Sequence, residues 1–192
     1  LDILKIVRTK EPRFNLRVKG KLPEDYPWML KREEEMNWYQ EQFNRIESDP
    51  ILNGHVHFDE WGPDVPQWFT KINHILSVSD FEAFHLAIAE GAASGAVPTV
   101  IKWEGAEQFY PSDWCYDDLE SAAQAILDRS SASQNGLKWS HTIRKRYDIA
   151  RIHQRWNRLL GIEKNIFRLI ISKLVKSFSS SSRKITVEVG EE

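Results

Sequence analysis

The chain has 192 residues, of which 41% are hydrophobic and 28% charged, a composition that fits one globular domain or one domain with an appendage. Its formal net charge of −2 gives no overall attraction to nucleic acid, so we predict no nucleic-acid partner. No apolar run reaches the roughly 18 to 20 residues that span a bilayer and no signal-peptide pattern opens the chain, so a cytoplasmic location is expected.

Residues 1–60 predict a helix, a strand, a second helix and a second strand. The first helix covers Leu1–Lys10, and because the chain starts inside it without a methionine, we expect a piece of a longer protein. Asn15–Lys19 alternates as a short strand. Leu30–Ile46 has apolar residues at helical steps, and His55–Phe58 predicts the next strand.

The following segment continues this alternation of helices and strands. Val65–Ile72 predicts a short helix, His74–Val78 a buried strand, Phe81–Ser94 a nearly all-apolar helix, and Thr99–Trp103 a further strand. Helices that alternate with strands favour a parallel sheet with helices on both faces, because a crossover helix joins parallel neighbours. We therefore predict an α/β, Rossmann-like domain over residues 1–130.

From Leu119 onward the pattern is only helical, with helices predicted at Leu119–Ser130, Trp139–Leu160 and Asn165–Phe178. We expect residues 131–178 to form C-terminal helices that pack on the first domain, and residues 179–192, in and beyond a serine run, to form a flexible tail. The basic stretch Lys138–Arg158 has apolar residues at helical spacing, which fits a solvated charged face. Contact with an anionic membrane surface is the alternative interpretation.

The segment Ser79–Gly91 combines the features of a ligand site. It follows a predicted strand and opens a predicted helix, and ligands of open parallel sheets bind at the carboxyl ends of the strands. A helix N-terminus there offers free amides and a positive dipole, which suit a nucleoside diphosphate. Glu90 is a carboxylate in an otherwise apolar helix, where burial without a partner is costly, and a ribose diol would explain it.

A pair of glutamates in this segment resembles a family motif. Glu82 and Glu90 are separated by seven residues, and Gly95 and Pro98 then precede a Thr-Val-Ile strand. This pattern resembles the glutamate-pair motif of family-four GT-B glycosyltransferases. The loop Glu104–Glu107 and the element order extend the resemblance from Leu1 to about Leu160.

The resemblance implies that the chain is the C-terminal, donor-binding domain of a retaining glycosyltransferase. Such an enzyme transfers a hexose from a nucleoside diphosphate sugar to a glycan or lipid-linked acceptor, with no metal and no further cofactor. The donor site that it implies consists of Glu82, Ala83, Phe84, His85, Leu86, Glu90 and Glu107. In it Glu82, the catalytic candidate, and the amides of residues 83–86 meet the sugar and phosphate, Glu90 holds the ribose, and Glu107 lines the same cleft.

Two departures from the family bear on activity. Ala83 and His85 stand where the family usually has glycines, so His85 is expected to narrow the pocket. The resemblance places the family's phosphate-binding Arg and Lys, and its acceptor-binding domain, before Leu1. We therefore expect this chain alone to bind nucleotide weakly and not to turn over, and a noncatalytic interaction module is the alternative function.

Several residues also have structural interpretations. Ser79 and Glu82 have the spacing of a capping box, and pairing with a buried arginine is the alternative for Glu90. The histidines lack a metal-ligand spacing, so no metal site is predicted at His55, His57, His74 or His85. The single cysteine, Cys115, excludes an internal disulfide and is predicted to be a packed thiol. Among Trp61, Trp68 and Trp103, the last is the best candidate to stack on a base.

Overall fold

The computed structural model describes residues 1–129 and 136–161, and its strands pair in parallel in two sheets. In the first sheet β1 (Leu16–Lys19) pairs with β2 (Val56–Asp59). In the second, β3 (His74–Ser77) pairs with β4 (Val97–Ile101), and β4 pairs with β5 (Cys115–Tyr116). Parallel neighbours need a crossover, and a helix lies between the members of each pair.

The α-helices alternate with the strands along the chain and continue after the last strand. In chain order they are α1 (Asp2–Lys10), α2 (Glu33–Ser48), α3 (Val65–Phe69), α4 (Leu86–Ala93), α5 (Ala106–Phe109), α6 (Leu119–Asp128), α7 (Gly136–Tyr147) and α8 (Ile149–Leu159). Single turns of 3-10 helix lie at Pro23–Asp25, Met29–Lys31 and Ser112–Trp114. The mixed architecture, with parallel sheets flanked by helices, confirms the predicted α/β, Rossmann-like fold class.

The hydrophobic core joins the first helix to a helix more than 100 residues later in the chain. Ile3 and Val7 of α1 pack with Ala122, Ala123 and Ile126 of α6 in one buried cluster. Apolar residues of β3, β4 and β5 pack against this cluster from the sheet side. Each fully buried aliphatic side chain stabilises the fold by about 1.5–3 kcal/mol, so α1 is an integral part of the domain.

The second helix of the core region, α4, lies against β3 at very short range. A Cβ added to Gly91 would stand 2.9 Å from both Cβ and Cγ1 of Ile75. The inward residues of α4 are small for the same reason, with Ala89 and Ala92 buried beside Ile88. This close approach brings the N-terminus of α4 to the carboxyl end of β3.

Several predicted boundaries are wrong. The helix predicted over Leu30–Ile46 covers Glu33–Ser48, and the one predicted over Val65–Ile72 ends at Phe69. The helix predicted over Phe81–Ser94 begins at Leu86, because a loop over residues 78–85 precedes it. The strand predicted over Thr99–Trp103 begins and ends two residues earlier, because Val97 and Pro98 pair with β3. The helix predicted over Trp139–Leu160 breaks at Asp148, whose side chain accepts a hydrogen bond of 2.9 Å from the Ala150 amide and so starts α8.

The described chain divides into two compact units, with the boundary between Arg144 and Lys145, inside α7. In the first unit the start of α7 packs on the α/β domain: Trp139 and Ile143 are buried, and Ser140 Oγ donates a hydrogen bond of 2.8 Å to the Ala93 carbonyl oxygen. Three predictions lie outside the described residues: the domain boundary at residue 130, the helix Asn165–Phe178 and the flexible tail 179–192.

The described part of the second unit is the end of α7 followed by α8. Apolar residues of α8 are exposed at Ile149, Trp156 and Leu159, and none of its residues is buried. Arginines lie between these apolar positions in the sequence. Across the described residues, no helix is both long enough and apolar enough to cross a membrane.

Candidate functional site

A cleft opens where β3 and β4 end. Its volume is about 430 Å³. The loop that follows β3 and the loop that follows β4 both line it, through Asp80, Phe81, Glu82, Ala83, Trp103 and Glu104. The cleft is therefore at the edge of the sheet where ligands of open parallel sheets bind.

The loop from β3 to α4 is held by hydrogen bonds at both ends. Ser77 Oγ and His85 Nδ1 share a hydrogen bond of 2.6 Å, and Ser77 is buried at the end of β3. The Tyr110 hydroxyl donates a hydrogen bond of 2.7 Å to the His85 carbonyl oxygen. Ser79 Oγ donates to Glu82 Oε1 at 3.1 Å, and His85 Nδ1 lies 3.9 Å from the same carboxylate oxygen. These contacts fix the carboxylate of Glu82 at the cleft.

A cluster of aromatic rings supports the same loop. The ring of Phe84 stacks on that of Tyr110 at 5.8 Å and contacts Phe109 edge-on at 5.6 Å. Tyr110 is completely buried and stacks in turn on Trp114 at 6.1 Å. The side chain of Phe84 is therefore part of the packing beneath the loop, and its predicted contact with a donor would come from its backbone amide.

Ser79 and Glu82 do not form a capping box at the start of α4. Their hydrogen bond lies inside the loop, because the helix starts at Leu86 with His85 as its N-cap residue. His85 gives no side-chain cap to α4. The amides of the first turn, at Leu86 and Ala87, are thus left without a side-chain acceptor, which is the arrangement that binds phosphate at helix N-termini.

The carboxylate of Glu90 is exposed, which corrects the premise that it sits in an apolar interior. The helix buries Ile88 and Ala89 on the sheet side and directs Glu90 to solvent. Pairing with a buried arginine is not observed for Glu90 within the described residues. The exposed carboxylate is open to a ligand, and its contact with a ribose stays a prediction.

Glu107 is held by a cation and is not among the residues that line the cleft. Lys102 Nζ lies 3.2 Å from Glu107 Oε1 and 3.0 Å from Asp117 Oδ1. The two carboxylates raise the pKa of Lys102, with the hydrogen bond to Asp117 as the larger cause. The positive charge beside the cleft is therefore already balanced, and the role of Glu107 in donor binding stays a prediction.

Of the three candidate tryptophans, Trp103 lies at the cleft. Trp68 Nε1 donates a hydrogen bond of 2.8 Å to Asp59, and Trp61 contacts Lys21, which lies 5.5 Å from its ring centroid. Trp103 is only 5% exposed and its ring contacts those of His85 and Tyr110. This packing is unfavourable for stacking on a base. Its Nε1–H has no hydrogen-bond partner among the described residues.

The other histidines and the cysteine are part of the packing or of local hydrogen bonds. His55 Nδ1 lies 2.9 Å from Asn15 Oδ1, and burial lowers the pKa of His74 to about 4. The Cys115 thiol is buried, as predicted, and this burial raises its pKa to about 11. Within residues 1–129 and 136–161, no three His, Cys, Asp or Glu side chains are grouped as metal ligands.

Sequence reasoning missed Asp80, Phe81 and Glu104 as lining residues. The predicted helix Phe81–Ser94 includes Phe81, although Asp80 and Phe81 both lie in the loop after β3. Glu104 was noted only as part of a family loop. Their positions after two strands identify them only once those strands are known to be parallel neighbours, because the residues after such strands meet at one edge of the sheet.

A parallel α/β domain with a cleft at the carboxyl ends of its strands, beside an uncapped helix N-terminus, belongs to the class of Rossmann-like domains. Among solved structures, the chain is similar to a mutant of S. aureus TarM in complex with fondaparinux, alpha-GlcNAc-glycerol and UDP, with a TM-score of 0.57 and 17% identity. The match covers 82% of this chain and 31% of that chain. TarM is a GT-B glycosyltransferase, and the likeness shows a glycosyltransferase-like fold. No family model and no curated protein matches the chain.

Proposed function

We propose that this chain is the donor-binding half of a retaining glycosyltransferase, which transfers a hexose from a nucleoside diphosphate sugar to a glycan or lipid-linked acceptor. The observation that carries this proposal is the cleft of about 430 Å³ at the ends of β3 and β4, beside the uncapped N-terminus of α4. The glycosyltransferase-like fold supports the class of reaction.

The binding mode follows from the donors and acceptors that surround the cleft. The diphosphate binds the free amides of Leu86 and Ala87, where the dipole of α4 favours negative charge. The sugar enters the cleft against Glu82, whose carboxylate accepts hydrogen bonds from hydroxyl groups. The exposed carboxylate of Glu90 accepts the two ribose hydroxyls further along α4.

Transfer requires stabilisation of the negative charge that develops on the leaving diphosphate. Among the described residues no cationic side chain lines the cleft, and the nearby Lys102 is already paired with Glu107 and Asp117. We infer that the stabilising cations come from outside the described cleft, as the family resemblance implies. The chain by itself is therefore expected to bind a donor without turnover.

Ligand-observed NMR with UDP, GDP and ADP tests the proposed donor site. We expect one of the three nucleotides to bind selectively, and Glu90→Gln to weaken that binding by about tenfold, since a hydrogen bond to a charged group contributes about 1.5–3 kcal/mol. Glu41→Gln, an exposed glutamate on α2, is the matched control and should bind as the parent does. Unchanged affinity in folded Glu90→Gln would contradict the assignment of Glu90.

A noncatalytic interaction module is the second candidate. It is favoured by His85, which stands 3.9 Å from the Glu82 carboxylate and shares a hydrogen bond with Ser77, so that it occupies space a glycine would leave open. The same titration separates the two functions. No binding of any of the three nucleotides by the folded chain would favour the module.

A further inference from the structure

The helix α8 has a largely exposed apolar face. Ile149, Ile152, Trp156 and Leu159 follow one another at steps of three and four residues, so they lie on one side of the helix. Ile149, Trp156 and Leu159 are 70%, 53% and 75% exposed. Single exposed apolar residues are ordinary, but a row of large ones on one helix face marks a contact surface.

The cations of α8 lie beside this apolar face. Arg151, Arg155 and Arg158 are exposed and stand four and three residues apart, on a neighbouring side of the helix. None of the three forms an ion pair with a carboxylate of the described residues. Residues 136–161 contain seven Lys and Arg side chains and a single acid, Asp148, which is the N-cap residue of α8. This segment is therefore strongly positive, although the whole chain carries a net charge of −2.

An apolar face with flanking arginines matches the surface of an anionic lipid bilayer. The acyl chains receive the apolar side chains, and the phosphates above them pair with arginines, whose long apolar stems reach outward along the helix. The 11 residues of α8 make a helix about 16 Å long, which is too short to cross a bilayer and lies along its surface instead. Trp156 suits this position, because tryptophan is enriched at the boundary between lipid and water.

Charge disfavours two other occupants of this face. In a second copy of the chain, α8 packed on α8 would bring together arginines from both helices with no carboxylate within either helix to balance them. A nucleic acid would bind the arginines through its phosphates but leave Ile149, Trp156 and Leu159 in water. The bilayer satisfies the charged and the apolar residues together.

We propose that α8 docks the chain on the surface of an anionic phospholipid bilayer, with its apolar face among the acyl chains and its three arginines at the phosphates. This inference goes beyond the proposed function and does not depend on it. The donor cleft is lined by residues of the first compact unit, whereas α8 belongs to the second. A chain that binds no nucleotide can therefore still bind the bilayer, and the two failures are distinguishable.

Sedimentation with lipid vesicles tests this docking. The full chain is mixed with vesicles of phosphatidylcholine alone, and with vesicles that contain about one third phosphatidylglycerol. We expect the anionic vesicles to bind at least about tenfold more tightly, since each arginine near an anionic surface increases the affinity by about fivefold. Added salt should weaken this binding, because it screens the attraction between the arginines and the lipid.

Two substitutions at exposed positions separate the apolar from the charged contribution. Leu159→Gln should weaken binding to anionic vesicles by about tenfold at low and at high salt, because it removes an inserted apolar side chain. Arg155→Gln should weaken binding by about fivefold at low salt and by less at high salt. Leu30→Gln and Arg32→Gln are the matched controls at exposed positions outside α8, and both should bind as the parent does.

Each contrary result has a distinct meaning, once circular dichroism has shown that the variants are folded. A folded chain that binds neither kind of vesicle, or both kinds equally, would overturn the proposal. Unchanged binding in both Leu159→Gln and Arg155→Gln would place the contact outside α8 and overturn it as well. Self-association that Leu159→Gln abolishes, without vesicle binding, would assign the apolar face to a second copy of the chain.

Discussion

At the scale of single residues, His74 shows how burial changes a titrating group. His74 is the first residue of β3, and the centroid of its ring lies 5.5 Å from that of the Phe14 ring. Its Nδ1 has no hydrogen-bond partner among the described residues. Burial is the larger cause and the charge of Arg129 the smaller cause of a pKa lowered from 6.5 to about 4. His74 is therefore neutral in the folded chain at pH 5 to 7.

This lowered pKa predicts a pH-dependent stability. The unfolded chain binds a proton at His74 below about pH 6.5, while the folded chain resists it until about pH 4. Stability is therefore full above pH 6.5 and falls as the pH decreases toward 4, by on the order of 2–3 kcal/mol. Urea unfolding of the parent and of His74→Gln between pH 4 and 7 measures it.

We expect the free energy of unfolding to depend less on pH in His74→Gln than in the parent, whatever the stability of the variant at pH 7. His57→Gln is the control, because His57 is exposed on β2. It should unfold with the same pH dependence as the parent. Equal slopes in the parent and in His74→Gln would contradict the stated effect of burial.

At the scale of elements, the packing of α4 on β3 sets the position of the cleft. Gly91→Ala would place a methyl group 2.9 Å from Cβ and Cγ1 of the β-branched Ile75, and these atoms cannot move far because they lie next to the backbone of β3. We expect overpacking to lower the free energy of unfolding by about 1–3 kcal/mol. This loss is larger than the increase of up to about 1 kcal/mol that alanine contributes through its higher helix propensity.

Urea unfolding of Gly91→Ala measures this balance. Gly20→Ala is the matched control, since a Cβ at Gly20 meets no atom within 4 Å. It should leave the free energy of unfolding nearly unchanged. A Gly91→Ala variant as stable as the parent would mean that α4 can move away from β3, and that the cleft is not fixed by this contact.

The order of these elements could be predicted from the sequence, whereas several boundaries could not. Residue spacing predicted alternating helices and strands correctly, because periodicity reports which face of an element is buried. It also extended the helix over Phe81, which the structure shows 92% exposed in a loop. The spacing of Ser79 and Glu82 imitates a helix start, although their hydrogen bond stabilises the loop instead. The short strand β5 is defined only by its pairing with β4.

The C-terminal helices illustrate the same limit. The sequence predicts one continuous helix through Asp148. In the structure the side chain of Asp148 accepts a hydrogen bond from the Ala150 amide, and a new helix, α8, starts there. A local hydrogen bond of this kind competes with the helix and is not visible in hydrophobic periodicity. Contact of the basic segment with an anionic membrane stays a prediction, and the exposed apolar residues of α8 are compatible with it.

At the scale of the whole molecule, the site depends on two loops that meet only in the folded chain. The glutamate-pair motif led to Glu82, which lies at the cleft, because the motif marks the loop after a strand. Asp80 and Glu104 were not predicted, since residues 24 apart become neighbours only through the parallel pairing of β3 and β4. The unpartnered indole of Trp103 likewise follows from packing and not from sequence.

The most direct measurement is a map of the amides that respond to nucleotide. Two-dimensional amide NMR spectra of the isotope-labelled chain would be recorded with UDP, GDP and their hexose derivatives. The donor-site account predicts that the recognised ligand shifts the amides of residues 82–87 and 103–105 most, at the ends of β3 and β4. The largest shifts elsewhere, for example on α2, or no shifts in a folded chain, would contradict it.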